Sequence, residues 1–274
     1  MLDASIPESR ANLINQGSPP LGHTGAGVLY GLMDDGIDVT HANFLDDQGK
    51  SRILYVWDHF TPGAPPPGYA YGVEYTKAEI DAGQAGQFIN DGGHGSHVAG
   101  ISVGDGSSLP NRKFRGVAPD ADLIVVRNGG CDLFCYGGGQ FSWGNEGTVG
   151  SIDGLRYMLQ KRNALGRPMV VNQSQGTTMG PHDGSTLLEA AYDRMVAEEN
   201  LIIVISAGND EEAAWHGRRT VPAGGQGDFL LQLDATEVPT GIAQWECWYA
   251  AGDRFRFQLR SPAGAVADLP AATG

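Results

Sequence analysis

The sequence predicts an α/β protein with a doubly wound, mostly parallel sheet, followed by the beginning of an antiparallel β module. Short and nearly continuous apolar runs indicate strands that are buried on both faces, as in a parallel sheet. These runs lie at residues 28–33, 123–126, 169–171 and 201–205. Two helical apolar patterns, at residues 152–159 and 187–196, alternate with the runs. Alternation of buried strands with helices is typical of a doubly wound sheet.

The character of the sequence changes after residue 217, where we place a boundary between a domain at 1–217 and a β-rich module at 218–274. Phe255, Phe257 and Leu259 alternate with polar residues, which is the period of a half-buried strand. Residues 243–249 alternate in the same way, so residues 250–253 are predicted to form a hairpin loop. At the other end, the turn residues at 17–20 predict an irregular arm over residues 1–25.

Composition argues against several classes of protein. The net charge of −14 argues against nucleic acid as a partner, because phosphate binding needs clustered Lys and Arg. No apolar run approaches the length of a membrane span, and no signal-peptide pattern follows Met1. Three cysteines do not make a disulfide framework. Cys131 and Cys135 either pair with each other or remain free.

Polar side chains stand at the ends of the buried runs. Asp34 ends the first predicted strand, and Asn209 follows the last one. Between them, His94 lies among glycines that permit a sharp entry into a helix. In open parallel sheets, sites form at the carboxyl ends of the strands. A carboxylate beside an imidazole fixes its tautomer and stabilises its cationic form, which general-base catalysis requires.

Taken together, these motifs resemble the subtilase family of serine peptidases over roughly residues 20–216. The matching segments are Asp34-Asp35-Gly36, His94-Gly95-Ser96-His97, and Ala207-Gly208-Asn209. The resemblance implies a subtilisin-like fold in which Asp34 and His94 are the acid and base of a triad and Asn209 is an oxyanion-hole donor. Asp35 stands where Ser or Thr is commoner in the family.

Two further segments resemble the substrate-binding strands of this family. Ser174, Gln175 and Gly176 match a Ser-Leu-Gly that lines the primary specificity pocket, with Gln175 in place of Leu. Gly137, Gly138 and Gly139 match the edge that pairs with substrate. The resemblance implies a peptide or protein substrate bound as an extended strand, without a required cofactor and without a membrane or nucleic acid as partner.

Two other expectations come from the resemblance. Asp38 is a candidate ligand of a structural calcium ion, and an extracellular location is compatible with the family. Residues 52–58, 74–76 and 180–185 resemble a bacterial branch related to clostridial Csp germination proteases. Members of that branch carry a β-rich insertion between the Asn and Ser motifs, which would account for residues 218–274.

The nucleophile motif of the family, Gly-Thr-Ser-Met-Ala-x-Pro, does not follow Asn209. A near-copy at residues 176–181 precedes Asn209, so we do not expect Thr178 to be the nucleophile. Ser185 is expected to cap the following helix. We therefore expect a fragment of a serine endopeptidase: inactive alone, with its Ser on a complementary C-terminal segment outside this chain.

The sequence leaves two other classes of function as alternatives to this hypothesis. The first alternative is a catalytically inactive pseudo-protease that binds peptides or regulates a partner. An intact set of Asp34, His94 and Asn209 speaks against it, since a dead enzyme has no use for an oxyanion donor. A metal or nucleotide protein is disfavoured, because His94 and His97 have no further zinc ligands in a zinc pattern and no phosphate-binding Gly-x-x-x-x-Gly-Lys is present.

Overall fold

The computed structural model describes residues 2–16, 22–86, 93–129, 147–176, 180–209, 216–231 and 245–269. Within them, a six-stranded sheet lies between two layers of helices, and a separate two-stranded sheet follows near the C-terminal end. The strands are β1 Leu29–Asp34, β2 Ile53–Asp58, β3 Val73–Thr76, β4 Asp122–Arg127, β5 Met169–Gln173, β6 Ile202–Ile205, β7 Phe257–Arg260 and β8 Val266–Leu269. The α-helices are α1 Leu2–Glu8, α2 Ala11–Gln16, α3 Lys77–Asp81, α4 His94–Val103, α5 Thr148–Leu165 and α6 Leu187–Glu199.

The larger sheet has the strand order β3-β2-β4-β1-β5-β6. All of its neighbouring strands pair in parallel except β2 and β3, which are antiparallel. Strand β1 lies in the interior, between β4 and β5, and all six of its residues are buried. The doubly wound, mostly parallel sheet predicted from the sequence is therefore confirmed.

Each face of the sheet packs against its own helices. Side chains of α3 and α4 join one buried apolar cluster, and side chains of α5 and α6 join the other. Close approach requires a small residue in β1: a Cβ added at Gly31 would lie 2.8 Å from Met158 Sδ and 3.0 Å from Val171 Cγ2. Gly31 therefore allows α5 to lie directly against the central strand.

Two local predictions were wrong. Residues 2–16 form the short helices α1 and α2, whereas the irregular arm was predicted from turn residues at 17–20, which lie outside the described residues. The cap of α6 is Thr186, not Ser185. Thr186 stands three residues before Glu189, so the two side chains close a capping box with each other's backbone N–H groups.

The C-terminal module is β-structured, but its pairing differs from the prediction. Strand β7 pairs with β8 in an antiparallel ladder, whereas the described residues 245–250 form no strand. Aromatic rings of this segment still lie against those of the next one, as in the predicted hairpin. The ring centroids of Tyr249 and Phe255 are 5.1 Å apart, and those of Trp245 and Phe257 are 5.9 Å apart.

A buried arginine connects three segments at the C-terminal end of α4. Arg52, directly before β2, is only 8% exposed. Its Nη1 donates to the carbonyl oxygen of Ala121 at 2.7 Å, and its Nη2 donates to those of Asn43 at 2.6 Å and Val103 at 2.7 Å. Val103 is the last residue of α4, so the cation also lies at the negative end of the helix dipole.

We predict that Arg52→Met lowers the free energy of unfolding by about 3 kcal/mol, since three buried carbonyl groups would lose a charged donor. Urea unfolding of the purified protein measures this. The matched control is Arg194→Ala, which removes an exposed ion pair to Glu198 within α6 and should cost less than about 0.5 kcal/mol. Equal losses for the two variants would contradict the role given to Arg52.

Candidate active site

The carboxyl end of β1 and the N-terminal end of α4 bring an acid and an imidazole into contact. Asp34 Oδ1 lies 2.7 Å from His94 Nδ1. The Asp34 side chain is 1% exposed and the His94 side chain is 52% exposed. This geometry holds one ring nitrogen in a hydrogen bond while the outer part of the imidazole faces the surface.

The close approach of these two elements depends on glycine. Gly93 at the N-cap of α4 has φ +64°, a left-handed conformation that favours glycine. Gly95 in the first turn has no space for a side chain, because a Cβ there would collide with the carbonyl oxygen of Gly36 and lie 3.1 Å from Asp34 Cβ. The glycines around His94 therefore let the helix begin directly on the turn that follows β1.

Asp35 also contacts the beginning of α4. Its Oδ1 accepts a hydrogen bond from Gly95 N at 2.7 Å, and its Oδ2 accepts one from His94 N at 3.2 Å. Asp35 is 5% exposed. The sequence placed Asp35 in the aspartate motif but did not predict this role, because the contact joins residues 59 and 60 positions apart.

The electrostatic environment couples the acid to the imidazole. Burial of the carboxyl group has the largest effect on Asp34 and raises its pKa to about 6, although the hydrogen bond with His94 acts in the opposite direction. The hydrogen bond to Asp34 has the largest effect on His94 and raises the pKa of its imidazole, while partial burial opposes it. The pKa of each group therefore depends on the protonation state of the other.

A second ion pair, which the sequence did not indicate, anchors the turn after β1. Arg127, at the end of β4, donates from Nε to the carbonyl oxygen of Asp35 at 3.2 Å and from Nη1 to Asp58 Oδ2 at 3.2 Å. Asp58 at the end of β2 is fully buried. The carboxyl ends of β1, β2 and β4 are thus linked beside the Asp34–His94 pair.

Asn209 lies in the exposed loop after β6, on the side of the sheet where the carboxyl end of β1 also lies. Strand β5 separates β6 from β1, so the ends of β6 and β1 are about 10 Å apart at the usual strand spacing. The loop of Asn209 also approaches the predicted specificity strand, since a Cβ at Gly176 would lie 3.7 Å from Gly208 Cα. The predicted oxyanion donor and the predicted pocket residues therefore lie on the same side of the sheet, at the carboxyl ends of its strands.

Gln175 is held by a chain of hydrogen bonds that begins in the core. Tyr192 of α6 donates to Gln173 Oε1, and Gln173 Nε2 donates to Gln175 Oε1 at 3.3 Å. The Gln175 amide then lies over the backbone of Gly129, where it would collide with any Cβ. Since Gly129 N also donates to the carbonyl oxygen of Asp34, Gln175 lies beside the turn after β1.

The remaining predicted site residues either lie outside the described residues or make only local contacts. Gly137, Gly138 and Gly139, like Thr178 and the cysteines at 131 and 135, lie outside the described residues. Asp38 closes a local turn, in which its Oδ1 accepts from Thr40 N at 2.9 Å and from Thr40 Oγ1 at 2.7 Å.

Among the described residues, the one cluster with three possible metal ligands comprises Asp34, Asp35 and His94. Asp38 is not part of this cluster. A calcium-binding role for Asp38 stays a prediction.

Comparison with known proteins agrees with this geometry. The sequence profile of peptidase S8, the subtilase family, matches residues 25–230. The chain belongs to the subtilase family. The CspB protease of Clostridium perfringens is similar in structure, with a TM-score of 0.62 and 30% sequence identity over 76% of this chain and 42% of that one. This similarity confirms the predicted resemblance to the Csp branch.

Curated relatives cover the same part of the chain. The Major intracellular serine protease of Bacillus subtilis is 29% identical over 189 residues, which are 69% of this chain and 45% of that protein. The Minor extracellular protease Vpr of the same species is 26% identical over 219 residues, 80% of this chain and 22% of that protein. The subtilase chain thus spans less than half the length of these relatives. No helix in the described residues is long and apolar enough to cross a membrane.

The contact between Asp34 and His94 leads to a prediction about proton binding. Because the carboxylate raises the pKa of His94, Asp34→Asn should lower it, so that the imidazole loses its proton at a lower pH. NMR titration of the His94 ring carbons measures the midpoint. Asp46→Asn, which removes a carboxylate from an exposed loop, should leave the midpoint unchanged. A midpoint for His94 that is the same with and without the Asp34 carboxylate would contradict the pairing.

Proposed function

We propose that this chain supplies the acid, the base and one oxyanion donor of a serine endopeptidase that hydrolyses peptide bonds by acyl transfer. The observation that carries the proposal is the 2.7 Å contact of Asp34 with the half-exposed His94 in a member of the subtilase family. The nucleophile in this proposal is a Ser from a Gly-Thr-Ser motif on a complementary segment outside the chain.

Each group has a defined task in the acyl transfer. His94 accepts the proton of the Ser hydroxyl as the oxygen attacks the peptide carbonyl carbon, and Asp34 orients and stabilises the resulting imidazolium. The side-chain amide of Asn209, with a backbone N–H, donates to the negative oxygen of the tetrahedral intermediate. His94 then gives the proton to the amine as the C–N bond breaks, which leaves the acyl group on the Ser oxygen. Water next attacks the acyl carbonyl carbon while His94 accepts its proton, and His94 gives that proton to the Ser oxygen as the ester C–O bond breaks.

The substrate lies as an extended strand beside residues 174–176 in this proposal. The location of Gln175, next to the turn after β1 and connected to the core through Gln173, supports a place for it in the wall of the specificity pocket.

The exposed edge strand β6 supports the proposal that a complementary segment binds to this chain. Strand β6 is the last strand of the described sheet, and three of its apolar side chains are about half exposed: Ile202 at 57%, Val204 at 53% and Ile205 at 47%. An exposed apolar edge strand favours association with further polypeptide. A segment that packs on β6 would arrive directly beside Asn209, where the Ser is needed.

We predict that the purified chain neither hydrolyses casein at an enzymatic rate nor reacts with a fluorophosphonate serine label, and that both properties appear when a segment with the Gly-Thr-Ser motif is added. In the complemented protein, His94→Ala should lower kcat by about 10⁶ and Asp34→Asn by about 10⁴. Labelling of Ser185 by the chain alone, with matching hydrolysis, would overturn the assignment of the nucleophile. Complementation without any hydrolysis would favour a pseudo-protease that binds peptides.

We predict that Asn209→Ala in the complemented protein lowers kcat by about 10²–10³ with little change in KM, because the oxyanion exists only near the transition state. Steady-state kinetics on a peptide amide substrate separates the two constants. Asn200→Gly is the control, since Asn200 is the C-cap residue directly after α6, at the far end of β6 from Asn209, and its φ of 51° is one that glycine adopts without strain. A raised KM with an unchanged kcat for Asn209→Ala would assign Asn209 to substrate binding instead.

A further inference from the structure

Helix α4 begins without any cap of its own. Its N-cap residue is Gly93, which offers no side chain, and its first turn contains no acidic residue. The first N–H groups of a helix have no partner within the helix, and the positive end of the helix dipole favours an anion there. The cap must therefore come from another part of the chain.

The Asp35 carboxylate supplies that cap from the turn after β1. It accepts from the backbone N–H groups of His94 and Gly95 and is almost fully buried. Both carboxylate oxygens of Asp35 therefore bind the backbone at the beginning of the helix, one at His94 and the other at Gly95.

Asp34 and Asp35 hold His94 by different atoms. Asp34 contacts the ring at Nδ1, whereas Asp35 contacts the backbone nitrogen. The two acids are also joined, because Asp35 N donates to Asp34 Oδ1 at 2.8 Å. These three hydrogen bonds form a closed ring. The position of the imidazole relative to Asp34 therefore depends on the hydrogen bonds between Asp35 and the first residues of the helix.

We propose that Asp35 is a positioning residue for the base: it fixes the first turn of α4 so that the His94 ring meets Asp34 and presents its other nitrogen to the nucleophile. This inference rests on the proposed peptidase function for its kinetic consequences, but the geometry of the ring does not depend on the function. Asp35 itself touches neither the reacting atoms nor the nucleophile in this proposal.

The variants for the test are Asp35→Ala, which removes the cap, and Asp35→Ser, whose hydroxyl can accept one of the two N–H bonds. The matched control is Asp46→Ala. Asp46 also accepts two backbone N–H bonds, from Gln48 and Lys50, but it lies in an exposed loop. Circular dichroism shows which variants are folded, and Asp35→Ser carries the test if Asp35→Ala is not.

The first measurement needs no activity. NMR of the chain should show the His94 ring displaced from Asp34 in Asp35→Ala, as loss of the downfield Nδ1 proton signal and a lower imidazole pKa, because both Asp34 and Asp35 raise that pKa in the folded chain. Asp35→Ser should recover part of the signal, and Asp46→Ala should match the unaltered protein.

The second measurement is the pH profile of the complemented protein. Asp35→Ala should lower kcat by about 10²-fold with little effect on KM, as expected when a catalytic group is misplaced by about 1 Å, and the acidic limb of kcat/KM should move to lower pH. Folded Asp35 variants that keep an unchanged Nδ1 signal would overturn the proposal even if the acidic limb moves, because loss of the Asp35 charge alone also lowers the imidazole pKa. A displaced ring in a protein that never hydrolyses peptides would reject the peptidase function and leave the positioning role in place.

Discussion

The arrangement of the site depends on one constraint: helix α4 is held at both ends by buried charges that belong to other elements. Asp35 binds the N–H groups at its beginning, and Arg52 binds the carbonyl of Val103 at its end. Each charge has the sign that the helix dipole favours at that end. A ten-residue helix with two such anchors has little freedom to slide or rotate, so a side chain on its first residue is held in a defined place.

The central strand explains why this helix can fix the geometry of the proposed acid–base pair. Strand β1 is buried on both faces between β4 and β5, and its last residue, Asp34, faces the helix. The turn after it is fixed from the other side by Arg127, whose charge is balanced by the buried Asp58. Asp34 is thus fixed by the buried strand that it ends, and His94 is fixed by the hydrogen bonds of Asp35 to the first residues of α4.

The buried apolar runs of the sequence were sufficient to predict the sheet. The contact of Asp34 with His94, 60 positions apart, was predicted from the resemblance of their two motifs to the subtilase family. The sequence was not sufficient for Arg52, Arg127 or the capping by Asp35. Apart from Asn43, which is nine positions from Arg52, their partners lie between 51 and 92 positions away along the chain. Nothing in a single sequence marks which carbonyl a buried arginine will meet. The misplaced cap at Ser185 has a different cause, since Ser185 and Thr186 are adjacent and only the spacing to Glu189 separates them.

The two halves of the proposed site differ in how they are supported. The acid and the base are enclosed by contacts from β1, β2, β4 and α4 and from the turns directly after β1 and β4. Asn209 instead follows an edge strand with half-exposed apolar side chains, and its loop is exposed. A hydrogen-bond donor aids an oxyanion only when its direction is fixed before the charge forms. The acid–base pair is therefore preorganised by this chain itself, whereas the orientation of Asn209 is the feature that a segment packed on β6 has most power to change.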